Sequence, residues 1–150
     1  MSSVIDARLE LGPQVGALLR IVWDRLRAEL HEHLRQEGFD DLRPAHSPLV
    51  RYPPIDGLRP SELAETLRLS RQSINDLLRE MEAMGYLELH ADPADGRARI
   101  IRYTDRGWRL FETSSRISGE VGERWAAKIG RRRYDSMVAA LNEIAALPEP

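Results

Sequence analysis

Five polar side chains fall within nine residues: Arg71, Gln72, Ser73, Asn75 and Arg79. Ile74, Leu77, Leu78, Met81 and Met84 interleave with them at helical spacing. On one helix, about 71–84, the two sets lie on opposite sides. Such a helix is about 21 Å long and fits a DNA major groove. Arg suits guanine, the amides of Gln and Asn suit adenine, and all of them can donate to phosphate. A polar helix face turned to solvent is the ordinary alternative. Further on, DPADGR (92–97) supplies the residues of a reversal, with Gly96, Arg97 and Arg99 at its tip. A thin basic loop of that kind enters a minor groove or tracks the backbone. The ordinary alternative is an exposed hairpin with solvated charges. Asp95 stands two residues before Arg97, placed to pair with it. Ser70 occupies the N-cap position of the polar helix. Ser61 lies near the start of the preceding helix, where capping and phosphate contact are equally open.

Other chemistries find less support. Of the four His, His31 and His33 are two apart on a helix and point to different faces. Glu29 and His33 are four apart and could share a metal, but no third ligand is apparent, so no metal is expected. The chain has no Cys, which removes disulfides, thiolate zinc sites and cysteine redox sensing. There is no G-x-S-x-G elbow, phosphate-binding Walker loop or H-E-x-x-H helix. No enzyme activity and no cofactor are expected.

The elements that must hold these residues follow from periodicity and punctuation. The 150 residues, of net charge −2, suit one domain or a domain with helical arms. Val15, Leu18, Leu19, Val22, Leu26 and Leu30 predict a long helix from 13 to about 36, with Pro13 in its first turn and Gly38 at its end. Prolines dominate 39–59, with a short helix expected near 44–51. PSELAETL (60–67) reads as a helix, Arg68 and Leu69 as a brief link, and Gly85 as the stop of the polar helix. Leu87 and Leu89 alternate with polar residues, and Ile100, Ile101 and Tyr103 mark a second strand, so a β-hairpin is predicted. Thr104 caps a helix over about 105–128, marked by Trp108, Phe111, Ile117, Val121 and Trp125. Gly130 breaks it, and Tyr134, Met137, Val138, Leu141 and Ile144 mark a last helix before Pro148. The expected fold is mostly α with a small β-hairpin wing: a winged helix-turn-helix with long N- and C-terminal helices.

Net charge alone argues against a nucleic-acid partner, but its distribution does not. Between Asp95 and Arg109 five Arg face two Asp. Of 22 basic residues only Lys128 is not Arg. Charges interrupt every apolar run well before the ~20 residues of a membrane span. The start, with Asp6, Arg8 and Glu10, does not resemble a secretory signal. A soluble, cytoplasmic protein without a membrane partner is expected.

Two segments sharpen this reading. SELAETLRLSRQSINDLLREMEAMGYLE (61–88) and DPADGRARIIRYTDRG (92–107) resemble the MarR family of bacterial transcriptional regulators. The D-x-x-D-x-R wing and the T-x-x-G start of a long helix are close to the family's signature. The resemblance implies an N-terminal dimerisation segment (1–58), a DNA-binding winged helix-turn-helix (59–104) and C-terminal dimerisation helices (105–150), integrated in a single domain. It implies a homodimer that binds double-stranded DNA at a pseudo-palindromic operator and responds to a ligand, with repression as the expected regulatory outcome. The DNA-binding set is then Ser61, Ser70, Arg71, Gln72, Ser73, Asn75, Arg79, Arg97 and Arg99. The family's small aromatic or anionic effectors bind between the dimerising helices and the DNA-reading lobe. Trp23, His46, Arg51 and Tyr52 would offer such a ligand an aromatic wall and a cation, or Trp23 and Tyr52 simply belong to the core. Arg131, Arg132 and Arg133 at the start of the last helix would pair with acids of a partner chain, touch DNA flanks or stay solvated.

Two departures from the family pattern stand out. Arg59 replaces the usual Ser or Thr cap before Pro60, so the cap must come from elsewhere and Arg59 is free to face phosphate. Asp76, Glu80 and Glu82 lie on the polar helix, and Asp76 would either accept from a cytosine amine or repel the backbone. These acids keep a second class of function open: a winged-helix module that binds proteins and not DNA.

Overall fold

The computed structural model describes residues 14–148. It divides into two compact units, which part between Leu42 and Arg43. The expected role of Pro13, and the reading of the first residues as no secretory signal, lie outside the described residues.

In the first unit, helix α1 runs Val15–Gln36. It ends on Gly38, whose φ of 93° few side chains tolerate. The turn lets the Phe39 amide donate back to the Leu34 carbonyl at 3.0 Å, which satisfies a helix-end acceptor. Leu34, Phe39 and Leu42 are buried. The opposite holds toward the start of the helix, where Val15, Leu18, Leu19, Val22 and Trp23 are all exposed. The His33 ring meets the backbone of Glu29, its Nδ1 donating to the Glu29 carbonyl at 2.7 Å. Among the described residues no three His, Cys, Asp or Glu gather as metal ligands would.

The second unit begins with a 3₁₀ turn, Pro44–Leu49, in place of the short helix expected over 44–51. Helix α2 (Pro60–Leu67) and helix α3 (Arg71–Ala83) follow. The hairpin pairs β1 (Leu87–Asp92) with β2 (Asp95–Tyr103) antiparallel, Leu87 opposite Tyr103 and Leu89 opposite Ile101. On the other side of β2, Ile101 exchanges backbone bonds with residues 57–58. Helices α4 (Asp105–Ile129) and α5 (Arg131–Ala145) complete the chain. Period 3.6 in α3 puts Ile74, Leu78 and Met81 inside, and Leu63 of α2 and Leu87, Ile100 and Ile101 of the hairpin are buried with them. Burying each such Leu or Ile contributes about 1.5–3 kcal/mol.

Two glycines fix how this core closes. Gly85 stops α3 at φ 77°, and the Tyr86 amide then donates to the Met81 carbonyl at 3.0 Å. That turn delivers Tyr86 into full burial. Gly107 sits in the first turn of α4, where a Cβ would lie 2.0 Å from the Tyr86 carbonyl oxygen. Only a bare backbone fits there. Thr104 caps α4 by accepting from the Gly107 amide at 3.2 Å, and its hydroxyl donates to the Gly85 carbonyl at 2.6 Å. Farther along α4, Ile117, Val121 and Ala126 are buried. Helix α5 packs on α4 with Tyr134 over Gly122, yet none of its residues is buried. Among the described residues, no helix is long and apolar enough to cross a membrane.

Candidate nucleic-acid interface

Opposite its buried stripe, α3 presents Arg71, Gln72, Ser73, Asn75, Asp76 and Arg79, all exposed. Ser70 opens the helix: its Oγ accepts from the Ser73 amide at 3.0 Å and lies 2.7 Å from the Ser73 hydroxyl. The Ser70 and Ser73 hydroxyls are thus joined in the cap, while Arg71, Gln72 and Asn75 have no side-chain partner among the described residues. Arg79 lies 2.5 Å from Asp76. Both are well exposed, so this pair holds weakly and breaks readily. Ser61 is half-buried in the first turn of α2 and does not cap it; the Glu62 carboxylate does, accepting from the Arg59 amide at 2.8 Å.

The acids Glu80 and Glu82 of α3 are engaged. Glu80 pairs with Arg43 and accepts from Nε2 of the buried His46 at 2.7 Å. The Arg43 amide donates to Nδ1 of the same ring at 3.0 Å. Only the neutral ring with its proton on Nε2 meets both partners. These bonds, from His46 first and then Arg43, hold the Glu80 carboxyl below the usual carboxylate range. Glu82 accepts from the Leu89 amide at 3.2 Å.

At the wing, Asp95 Oδ1 accepts from the Arg97 backbone amide at 3.1 Å. The pairing expected between these two side chains is therefore made through the backbone, and it shapes the turn. The Arg97 guanidinium is exposed and has no partner among the described residues. Arg99 differs: its guanidinium donates to the Leu89 carbonyl across the hairpin. Arg59, expected from the sequence to be free, is engaged within the chain. It meets Asp92, with Nε at 2.7 Å and Nη2 at 2.5 Å from the same carboxylate oxygen.

Sequence reasoning misses one residue of this face. Arg68, in the turn between α2 and α3, holds φ 52°, a left-handed conformation that costs a side chain about 1–2 kcal/mol. Its side chain is exposed and without a partner among the described residues. The one signal for it is a three-residue link, Arg68–Leu69–Ser70, too short for the reversal without a left-handed residue and lacking glycine.

Of the expected ligand residues, Trp23 belongs to the first unit and His46, Arg51 and Tyr52 to the second. A cleft between the 50s loop, α3, β2 and α4 is lined by Leu49, Arg51, Tyr103 and Ser114 among others, and holds about 10 Å³, room for one water molecule. Of the four residues singled out, only Arg51 lines it. His46 is buried and bound to Glu80, Tyr52 is 82% exposed, and Trp23 is 53% exposed on α1 of the other unit. Burial raises the Tyr103 phenol above its usual range; its oxygen accepts from the Ile55 amide at 3.3 Å.

Two helices joined by a tight turn, an uncovered polar face on the second and a basic hairpin beside it define a winged helix-turn-helix. Residues 49–98 match the sequence model of the MarR family. No curated protein sequence matches the chain. Among solved structures, a MarR-family transcriptional regulator from Rhodococcus sp. RHA1 is 25% identical, covering 89% of this chain and 95% of its own, with a TM-score of 0.65. The transcriptional repressor CouR bound to a 23-mer DNA duplex is 24% identical, covering 91% and 95%, with a TM-score of 0.69. CouR from Rhodococcus jostii RHA1 bound to p-coumaroyl-CoA is 23% identical, covering 93% and 97%, with a TM-score of 0.68. Residues 49–98 are thus similar in sequence to the MarR family, and the fold of the chain is similar to that of these regulators.

Proposed function

We propose that this chain is a sequence-specific, double-stranded DNA-binding transcriptional regulator of the MarR type that works as a homodimer in the cytoplasm. The observation that carries the reading is the two-sidedness of α3: Ile74, Leu78 and Met81 are buried, while Arg71, Gln72 and Asn75 stand exposed and, like Arg97 of the wing, have no side-chain partner among the described residues. Ser61, Ser70, Ser73, Arg79 and Arg99 complete the DNA-contacting set. Arg68 joins it as a phosphate contact, since this strained, exposed cation in the turn has no side-chain bond among the described residues.

Residues 1–58 and 105–150 serve dimerisation around the DNA-binding part, 59–104. Support comes from the uncovered apolar stripes of α1 and α5, which a two-fold partner would bury. A dimer of this kind sets two recognition helices into successive major grooves about 34 Å apart, so its operator is a pseudo-palindrome. The regulator acts as a repressor, leaving its promoter when a small aromatic or anionic effector favours another spacing of the lobes. That a relative has been solved with DNA and with p-coumaroyl-CoA supports both halves of this cycle. The role of Trp23, His46, Arg51 and Tyr52 as an effector site requires the cleft at Arg51 to open beyond the size of a water molecule.

The alternative, a protein-binding winged helix, draws its support from the acids of α3. With Asp76 on Arg79 and Glu80 on Arg43 and His46, less free negative charge opposes a phosphate backbone. Selection of bound duplexes from a random pool at near-physiological salt tests the choice. Recovery of inverted repeats with half-sites one helical turn apart is expected. Failure to enrich any duplex over the starting pool overturns the reading. In the selected duplex, Arg97→Ala should weaken binding about tenfold and lower the salt slope by about one unit.

A further inference from the structure

Asp92, the last residue of β1, is nearly buried, and every oxygen of its carboxylate is taken. Oδ1 accepts from the Ala94 amide at 2.8 Å. Oδ2 receives Nε and Nη2 of Arg59, at 2.7 and 2.5 Å. Arg59 stands immediately before α2, on the helix-turn-helix side, and its own amide is held by Glu62. Asp92 begins the wing turn, where the strand register shifts. Three residues later Asp95 holds the Arg97 amide. A continuous chain of bonds thus runs from the start of α2 to Arg97, which lies in β2 just past the turn at Pro93–Ala94 and not at the tip itself. The hairpin otherwise protrudes with Pro93, Ala94, Asp95, Gly96 and Arg97 all exposed, and a two-stranded ribbon is marginal by itself.

The geometry points to Arg59 as a positioning residue: it locks the base of the wing to the helix-turn-helix, so that Arg97 and the face of α3 meet DNA as one preformed surface. This rests on the DNA-binding reading above. The bonds from the Ala94 amide and then Arg59 hold the Asp92 carboxyl below its usual range, and Asp92 raises the Arg59 guanidinium, as expected for a pair that is charged on both sides. A preformed wing spares the ordering that a loose loop would undergo on binding, and that saving appears as affinity.

The test uses the full chain and the selected duplex. Arg59→Ala, Asp92→Asn and the double variant are compared with wild type in affinity across a salt series, and amide exchange is followed at Ala94 and Arg97. Expected are about tenfold weaker binding for each single variant, a double variant no weaker than either single one, an unchanged salt slope, and faster exchange in the wing with α3 unaffected. Arg59→Lys, which keeps the charge and one hydrogen bond, should recover part of the affinity. If Arg59→Ala lowers the salt slope by about one unit while Asp92→Asn binds as wild type, Arg59 contacts phosphate directly and the lock is refuted. Equal affinity of wild type and all variants refutes it as well. If Arg59→Ala does not fold, Asp92→Asn and Arg59→Lys decide the matter. Wild type binding no duplex at all would instead bring down the DNA-binding reading itself.

Discussion

The helix-turn-helix core and the stripes of α1 and α5 carry the same kind of apolar pattern, but they use it differently. In α3 the stripe is covered by the chain itself, with Ile74 and Leu78 at 0% exposure. In α1, Leu18 is 46% exposed and Val15 69%; in α5, Leu141 is 40% and Ile144 61%. Periodicity makes an apolar face; it does not supply the partner. Where hairpin, α2 and α4 converge, the face is covered within one chain. Where a helix lacks such neighbours, its apolar stripe stays exposed.

This contrast can be broken most forcefully from its exposed side. Leu141→Glu with Ile144→Glu places two carboxylates on the proposed interface, where burial of an unpaired charge is strongly unfavourable. Sedimentation should show the mass fall from dimer to monomer. A dimer that persists would mean that this stripe faces solvent. On the covered side, Ile74→Ala should cost about 2–5 kcal/mol in urea unfolding, because it removes buried contacts and leaves a cavity. A loss under about 1 kcal/mol would show the core to be looser than its burial.

Arg68→Gly should sharpen the contrast between stability and binding. It relieves the left-handed backbone and raises stability by about 1 kcal/mol, while weakening duplex affinity and flattening its salt dependence. Movement of both quantities in the same direction would refute the phosphate role. The smallest effect expected is at acid pH. A carboxyl held below its usual range adds stability above that range and loses it as pH falls through its lowered value. The stability difference between wild type and Asp92→Asn should therefore be full at neutral pH and shrink below about pH 4. A difference that stays constant down to about pH 2 would show that the Asp92 charge contributes nothing.

Much of the site is legible in the order of residues alone. Ser70 and Thr104 announce caps because short hydroxyl side chains fit that geometry, and Gly85 announces a stop because it accepts a positive φ. The α3 stripe separates core from reading face for the same local reason. The expected pairing of Asp95 with Arg97 finds the right residues but the wrong atoms: the carboxylate takes the near amide rather than the guanidinium. Arg59 is legible as a departure from the family pattern, and its partner is not. Asp92 lies 33 residues away, and nothing local to either residue selects it.

Sequence by itself determined the long helices, the two helices of the helix-turn-helix and the hairpin, since each depends on neighbours within a few turns of chain; it did not determine the 3₁₀ turn at Pro44–Leu49. Tertiary structure alone decided which charges are spent and which are free. It gave Arg59 to Asp92, Glu80 to His46 and Arg43, and Arg99 to the Leu89 carbonyl, and left Arg71 and Arg97 without a side-chain partner among the described residues. Charges are long-armed and choose partners by proximity in space, which only the packed chain defines.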